Sequence, residues 1–172
     1  MVDSVASKPS AQRIARAGGF VLPCDAEKAF PLFSPEGERE WVKGWDPKPI
    51  FPSTIEFRRD TVFQTQDAGG EAIWIILAVE WKSHTAEYVR IAPHSHSAHI
   101  VVKLEPLSTK QSRVDVTYTV TAFGETAANL LADFSEDAYV KKMLDWQQRI
   151  IKHLESGMPL KKRRRSVNRI DP

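Results

Sequence analysis

The sequence of 172 residues contains a single cysteine, Cys24, so it cannot form a disulfide framework within one chain. This sparing use of cysteine fits a reducing cytosol. Cys24 is followed by Asp25, whose carboxylate would raise the pKa of the thiol, and no neighbour in the sequence lowers it. We therefore expect neither a disulfide scaffold nor a catalytic role for Cys24.

Long apolar runs are also missing, since the longest one, residues 72–79, has only the length of a strand. Residues 1–13 contain no apolar segment of the length that a signal peptide needs. No stretch approaches the roughly 20 apolar residues of a membrane-spanning helix. We expect a cytoplasmic protein without a membrane span.

An excess of one charge sign is absent as well, because 24 Lys and Arg residues stand against 22 Asp and Glu residues. The positive charge is concentrated in the KKRRR segment at residues 161–165, which follows the helix-ending Gly157 and Pro159. This pattern predicts a disordered tail over residues 158–172. The tail either keeps the chain soluble or makes weak, salt-dependent contacts with nucleic acid or anionic lipid. We expect no stable nucleic-acid complex.

Strand patterns dominate what is present, at residues 13–22, 55–66, 72–82, 85–92, 98–107 and 113–122. The last five are joined by short turns, which predicts antiparallel neighbours because a parallel crossover needs about a dozen residues or more. In the last two strands the apolar residues alternate, so one face of each points inward. The strand at residues 72–82 is apolar on both faces, and its inward face stays open.

Helical patterns flank the strands. Asp25 is suited to cap a short helix that ends near Ser34, and residues 36–43 form a second helical turn. Three prolines between residues 47 and 52 exclude regular structure there. A long apolar stripe of helical spacing follows at residues 126–157, with Lys142 among the polar residues on the other side.

This order of elements predicts an α+β domain over residues 12–157, in which a curved antiparallel sheet wraps around the C-terminal helix. Residues 1–11 are rich in serine and lack periodicity, so we expect a mobile N-terminal arm.

Three of the five histidines lie in the segment PHSHSAH, residues 93–99. On an extended strand His94 and His96 share a face, about 7 Å apart, and His99 lies on the opposite face. No Asp, Glu or Cys within the segment completes a coordination shell. We therefore predict a solvated turn and no metal site.

The segment FVLPCDAEKAFPLFSPEGEREWVKGWDPKPIFP, residues 20–52, resembles the START-like, or SRPBCC, superfamily, most specifically in GER-x-W-x-x-GW-x-P. The endings YVRI-x-P at residues 88–93 and VTYT-x-TA at residues 116–122 are similar to the same pattern. The resemblance implies the helix-grip fold of the birch-pollen allergen and the polyketide cyclases. That fold has six or seven strands around a long C-terminal helix, two short helices after the first strand, and a deep apolar cavity. It implies no particular reaction.

The residues that we expect around such a cavity are mostly aromatic: Trp41, Trp45, Phe63, Trp74, Tyr88, Arg90, Tyr118, Phe134 and Trp146. Aromatic walls suit a planar or lipid-like ligand, although each ring could equally belong to a packed core. Arg90 would meet an anionic ligand head if it pointed inward, but the pattern favours a surface position. We interpret Glu38 and Arg39 as a structural ion pair rather than as catalytic groups.

Three classes of function follow. The favoured one is binding or carriage of a small apolar molecule, lipid-like or aromatic and polyketide-like, without a cofactor. The alternative is an enzyme of polyketide cyclase type acting in the same cavity, for which no catalytic residue is evident. The third is a protein-interaction module of the chaperone-activator kind that uses the outer sheet face around Trp81, a face that also suits a homodimer.

Overall fold

The computed structural model describes residues 11–67, 70–93, 95–123, 132 and 134–157. The predicted basic tail, His94, and nearly all of the predicted N-terminal arm lie outside these residues. The described strands are β1 Gln12–Leu22, β2 Lys48–Phe51, β3 Val62–Asp67, β4 Gly70–Glu80, β5 Thr85–Ala92, β6 His96–Ser108 and β7 Gln111–Ala122. The described helices are α1 Ala26–Ala29, a 3₁₀ helix Phe30–Phe33, α2 Pro35–Glu38 and α3 Glu136–Glu155.

The strands form one antiparallel sheet of seven strands in the order β1-β7-β6-β5-β4-β3-β2. Together with the helices after β1 and the C-terminal helix, this confirms the predicted helix-grip architecture. Two details differ from the prediction, because residues 55–61 are irregular and β2 forms within the proline-rich segment. The edge of a sheet tolerates Pro49, whose missing N–H would interrupt a central strand.

The inward faces of β6 and β7 are those that alternation predicts. Ile100, Val102 and Leu104 on β6 are buried, and so are Val114 and Val116 on β7. These side chains form the floor of the core, while the intervening polar residues lie on the outer face.

The strand that is apolar on both faces, β4, contains a bulge. Ile76 pairs with Tyr88, but the next pair joins Ala78 to Glu87, so Leu77 has no opposite residue. A bulge exchanges the faces of the residues that follow it. Trp74 and Ile76 therefore point inward before the bulge, and Val79 packs against the core after it.

The bulge also affects Trp81, which packs on Phe30 and Phe57 with ring centroids 5.2 and 5.5 Å away. Since Phe30 belongs to the core, Trp81 covers the core edge instead of standing on the open outer face. Trp81 is nevertheless half exposed, so the interaction surface predicted around it and a homodimer through the outer face both stay predictions.

Two side-chain caps start the short helices. The backbone N–H of Lys28 donates to Asp25 Oδ1 over 2.9 Å at the start of α1, as predicted. Ser34 lies at the end of the first helical segment, as predicted, and also begins the next one. Its Oγ accepts from the N–H of Gly37 over 2.9 Å and caps α2. The two turns approach so closely that a Cβ on Gly37 would lie 2.1 Å from the carbonyl oxygen of Pro31.

The helix α3 begins later than its apolar stripe suggests. Ser135 caps it through a bond from the N–H of Ala138, with a donor–acceptor distance of 3.3 Å, and Phe134 lies in a turn before it. The prediction of one helix over residues 126–157 is therefore wrong at Ser135, and its predicted start at Thr126 lies outside the described residues. The end at Gly157 is confirmed, where a positive φ of 63° stops the helix.

The packing of α3 on β1 and β7 leaves space above the other half of the sheet. The hydroxyl of Tyr139 donates to the carbonyl of Val116 over 2.8 Å. Gly18 permits this approach, since a Cβ there would lie 3.1 Å from the Tyr139 ring. None of the helices that the structure describes is long and apolar enough to cross a membrane.

Candidate ligand-binding site

A cavity of about 210 Å³ lies between the sheet, α2 and α3. Six residues of the predicted set line it: Trp45, Phe63, Trp74, Tyr88, Tyr118 and Trp146. The remaining lining residues are Phe33, Pro35, Glu38, Val42, Ile100, Val102 and Lys142. The walls are thus mainly apolar and aromatic, and the two charged residues among them are Glu38 and Lys142.

Three residues of the predicted set do not line the cavity. Trp41 is buried behind Trp146, with ring centroids 5.3 Å apart, and its indole N–H donates to the carbonyl of Leu32. Phe134 packs on Tyr118 instead, with ring centroids 6.1 Å apart. Arg90 is the third.

Arg90 lies on the concave face, beside Tyr88, so the interpretation as a surface residue is wrong. Its guanidinium donates to the Nε2 atom of His96 and lies 5.7 Å from the centre of the Trp74 ring. His96 is only 9% exposed, so this part of the predicted solvated turn is wrong as well. His99 points to the opposite face, as predicted, where it contacts Glu87.

Two further features concern metal ligands and the thiol of Cys24. Across the described ranges, no three His, Cys, Asp or Glu side chains come close enough together to hold a metal ion. Burial and the adjacent Asp25 both raise the pKa of Cys24, and Lys28 opposes them only in part.

Several aromatic side chains use their polar atoms to hold the fold. The indole N–H of Trp45 donates to the carbonyl of Pro35 over 2.8 Å, and the hydroxyl of Tyr88 donates to the carbonyl of Phe33 over 2.7 Å. The indole N–H of Trp74 donates to the hydroxyl of Thr65. These three residues therefore present rings, not free polar groups, to the cavity.

Glu38, the last residue of α2, places its carboxyl group in the cavity. Within the described part of the chain it has no hydrogen-bond or ion-pair partner. Burial raises its pKa to about 8, although the charge of Lys142 acts in the opposite direction. A carboxyl group with such a pKa can donate or accept a proton near neutral pH.

The predicted ion pair between Glu38 and Arg39 is wrong. Arg39 instead contacts Glu36 over 3.2 Å and Asp46 over 2.7 Å, and it donates to the carbonyl of Pro47. Arg39 thus holds the loop after α2 from outside and leaves Glu38 facing inward.

Lys142 lies on α3, where its Nζ atom is 4.2 Å from the centre of the Tyr118 ring and 5.4 Å from that of Trp146. Burial lowers its pKa to about 8; Glu38 raises the pKa and Arg90 lowers it. The sequence contains one signal for this position. Lys142 follows Tyr139 by three residues and precedes Trp146 by four, so it belongs to the same helical stripe as these rings.

The comparisons with known proteins come from structure alone, because no known family model and no curated protein matches the sequence. Norcoclaurine synthase from Thalictrum flavum superposes with a TM-score of 0.61 at 8% identity, over 84% of this chain and 90% of that chain. An uncharacterised protein from Rhizobium leguminosarum superposes with a TM-score of 0.62 at 15% identity, over 86% and 97% of the two chains. The Zhui aromatase/cyclase from Streptomyces sp. R1128 superposes with a TM-score of 0.58 at 10% identity, over 86% and 97%.

At such identities the likeness shows the fold. The chain has the helix-grip fold of the birch-pollen-allergen-like proteins, as its resemblance to the START-like superfamily implied. The synthase from Thalictrum flavum has also been crystallised in complex with dopamine and hydroxybenzaldehyde.

Proposed function

We propose that this protein binds a small aromatic molecule in the cavity between the sheet and α3. The observation that carries the proposal is an internal space of about 210 Å³ whose walls include Trp45, Trp74 and Trp146. An apolar cavity of about 150 Å³ holds benzene, so this one has room for a substituted ring. This volume is close to that needed by a substituted ring, which favours the aromatic over the lipid-like ligand class.

The solved structures support this proposal only through their fold. Dopamine and hydroxybenzaldehyde, which are bound to the synthase, are both molecules with one substituted ring. A cavity in the same architecture suits ligands of that size, and edge-to-face or stacked contacts with indole rings favour them further.

The test compares two substitutions on β6. Val102→Phe places a ring in the cavity, whereas Val101→Phe places the same ring on the outer face of the same strand. Purified protein is first extracted into organic solvent and the extract read by mass spectrometry. Binding of 2-naphthol is then followed by tryptophan fluorescence.

We expect a Kd in the micromolar range, worth roughly 8 kcal/mol, for the native chain and for Val101→Phe. Val102→Phe should lose binding while it keeps its circular dichroism spectrum. Equal binding by both variants would show that the ligand lies outside the cavity.

An enzyme of cyclase type is the second candidate, favoured by Glu38. Its carboxyl group faces an apolar cavity and its pKa is raised to about 8, which suits general acid–base catalysis on an aromatic or polyketide-like substrate. In that case Glu38→Gln should abolish turnover of the substrate but retain its binding. Turnover that persists in the variant would remove Glu38 from the mechanism.

A further inference from the structure

The polar groups of the cavity fall into two sets. Trp45, Trp74 and Tyr88 give their N–H or O–H groups to other protein atoms. The carboxyl of Glu38, the hydroxyl of Tyr118 and the ammonium of Lys142 make no hydrogen bond within the described residues. All three groups face the cavity, which is open to solvent, so water or a ligand can supply the partners that the protein does not. These three groups, here called the polar corner, thus have capacity for a ligand.

The charge of the polar corner indicates the charge of the ligand that fits it. Over the described residues, no carboxylate lies within 4.0 Å of the Lys142 ammonium, which contacts the faces of Tyr118, Phe134 and Trp146. Arg90 adds a second positive charge near enough to lower the pKa of Lys142. Because burial keeps Glu38 protonated at neutral pH, the corner is positive there and its neutral carboxyl can donate.

We infer that the ligand is an aromatic carboxylate whose acid group lies on Lys142 and accepts hydrogen bonds from Glu38 and Tyr118. This inference rests on the proposed function, since it requires a ligand in the cavity. A carboxylate gives the Lys142 ammonium an ion partner in the cavity, whereas a neutral ligand leaves it with ring faces alone. The ring of the ligand would lie against the indoles of Trp74 and Trp45.

The closing experiment measures by isothermal titration calorimetry how two matched probes bind at pH 7. The probes are 3-phenylpropanoate and its amide, 3-phenylpropanamide, which share the ring and the chain length but differ in charge. The variants are Lys142→Met and Lys141→Met, of which the second removes an exposed lysine from the preceding position of α3.

In the native chain the carboxylate should bind at least about tenfold more tightly than the amide. Lys142→Met should remove that preference for the carboxylate over the amide, and Lys141→Met should preserve it. Equal binding of both probes by the native chain would overturn the inference and leave the proposed function standing. If neither probe bound, the inference and the proposed function would both be overturned.

A second readout needs no substitution, in case Lys142→Met does not fold. The titratable and charged groups that surround Lys142 in the polar corner are Glu38 on α2, Tyr88 and Arg90 on β5, His96 on β6 and Tyr118 on β7. Above pH 8 Lys142 loses its charge and Glu38 becomes an anion that repels the probe. The affinity for 3-phenylpropanoate should fall about tenfold or more between pH 7 and pH 9. An affinity unchanged over this range would contradict the inference, and the amide serves as the pH control.

Discussion

Replacement of Glu38 with Gln preserves the shape of the side chain and removes a carboxyl group that folding makes a weaker acid. The folded pKa of about 8 lies well above the ordinary value of 4.5. Between these two values the folded chain holds a proton that the unfolded chain has released. The free energy of unfolding therefore falls as the pH rises through this window, by at most about 1.4 kcal/mol per pH unit.

If the whole shift in the pKa of Glu38 were realised, the free energy of unfolding would be about 5 kcal/mol lower at pH 8 than at pH 4. Because the carboxyl group faces a cavity that admits solvent, we expect less than half of this limit, about 2 kcal/mol. Glu38→Gln should thus stabilise the protein by about 2 kcal/mol at pH 8 and by little at pH 5. The substitution also removes the charge that raises the pKa of Lys142, but this has little effect below pH 8, where Glu38 is neutral.

The assay is urea denaturation at pH 5, 6, 7 and 8, followed by circular dichroism, with Glu71→Gln as the control. Glu71 is an exposed carboxylate on β4, outside the cavity, and the control should retain the native dependence on pH. If Glu38→Gln showed the same dependence on pH as the native chain, Glu38 would not be protonated in the fold, and the charge assigned to the polar corner would be wrong.

Two further predictions concern the contacts that shape the cavity. Gly37→Ala should destabilise the protein by about 3 kcal/mol, because the added Cβ would lie 2.1 Å from the carbonyl oxygen of Pro31. Thermal melting measures this loss of stability, and an unchanged Tm would contradict the packing of α2 against the preceding turn. Tyr139→Phe should cost about 1 kcal/mol, because it removes the 2.8 Å hydrogen bond from the Tyr139 hydroxyl to the carbonyl of Val116. Ligand affinity should not change in this second variant, and a large loss of binding would mean that α3 has shifted.

Local signals in the sequence determined most of the architecture. The alternation on β6 and β7 predicted both the strands and their inward faces, since one side of each strand is packed and the other is solvated. Asp25 predicted the start of α1, and short turns predicted antiparallel pairing. The resemblance to START-like proteins added the helix-grip arrangement, which the superposed structures confirm.

The faces of β4 could not be predicted, because both of its faces are apolar and the bulge after Ile76 changes which one points inward. The break in the helical segment at Ser135 was missed for a related reason. Apolar spacing continued across Ser135, and only the three-dimensional path of the chain shows that this serine caps a new helix.

The candidate site depended most on tertiary structure. Six of the expected residues line the cavity, but Glu38 was interpreted as half of a structural ion pair, and Lys142 and Arg90 were assigned to solvated positions. The periodicity of apolar residues predicts which residues share one face of a helix or strand. It does not predict how much of that face is buried. A charged residue at its margin is solvated or enclosed according to what packs across from it. For Glu38 and Lys142 the groups that decide this lie on strands and helices distant in the sequence, so only the folded chain determines that both face the same cavity.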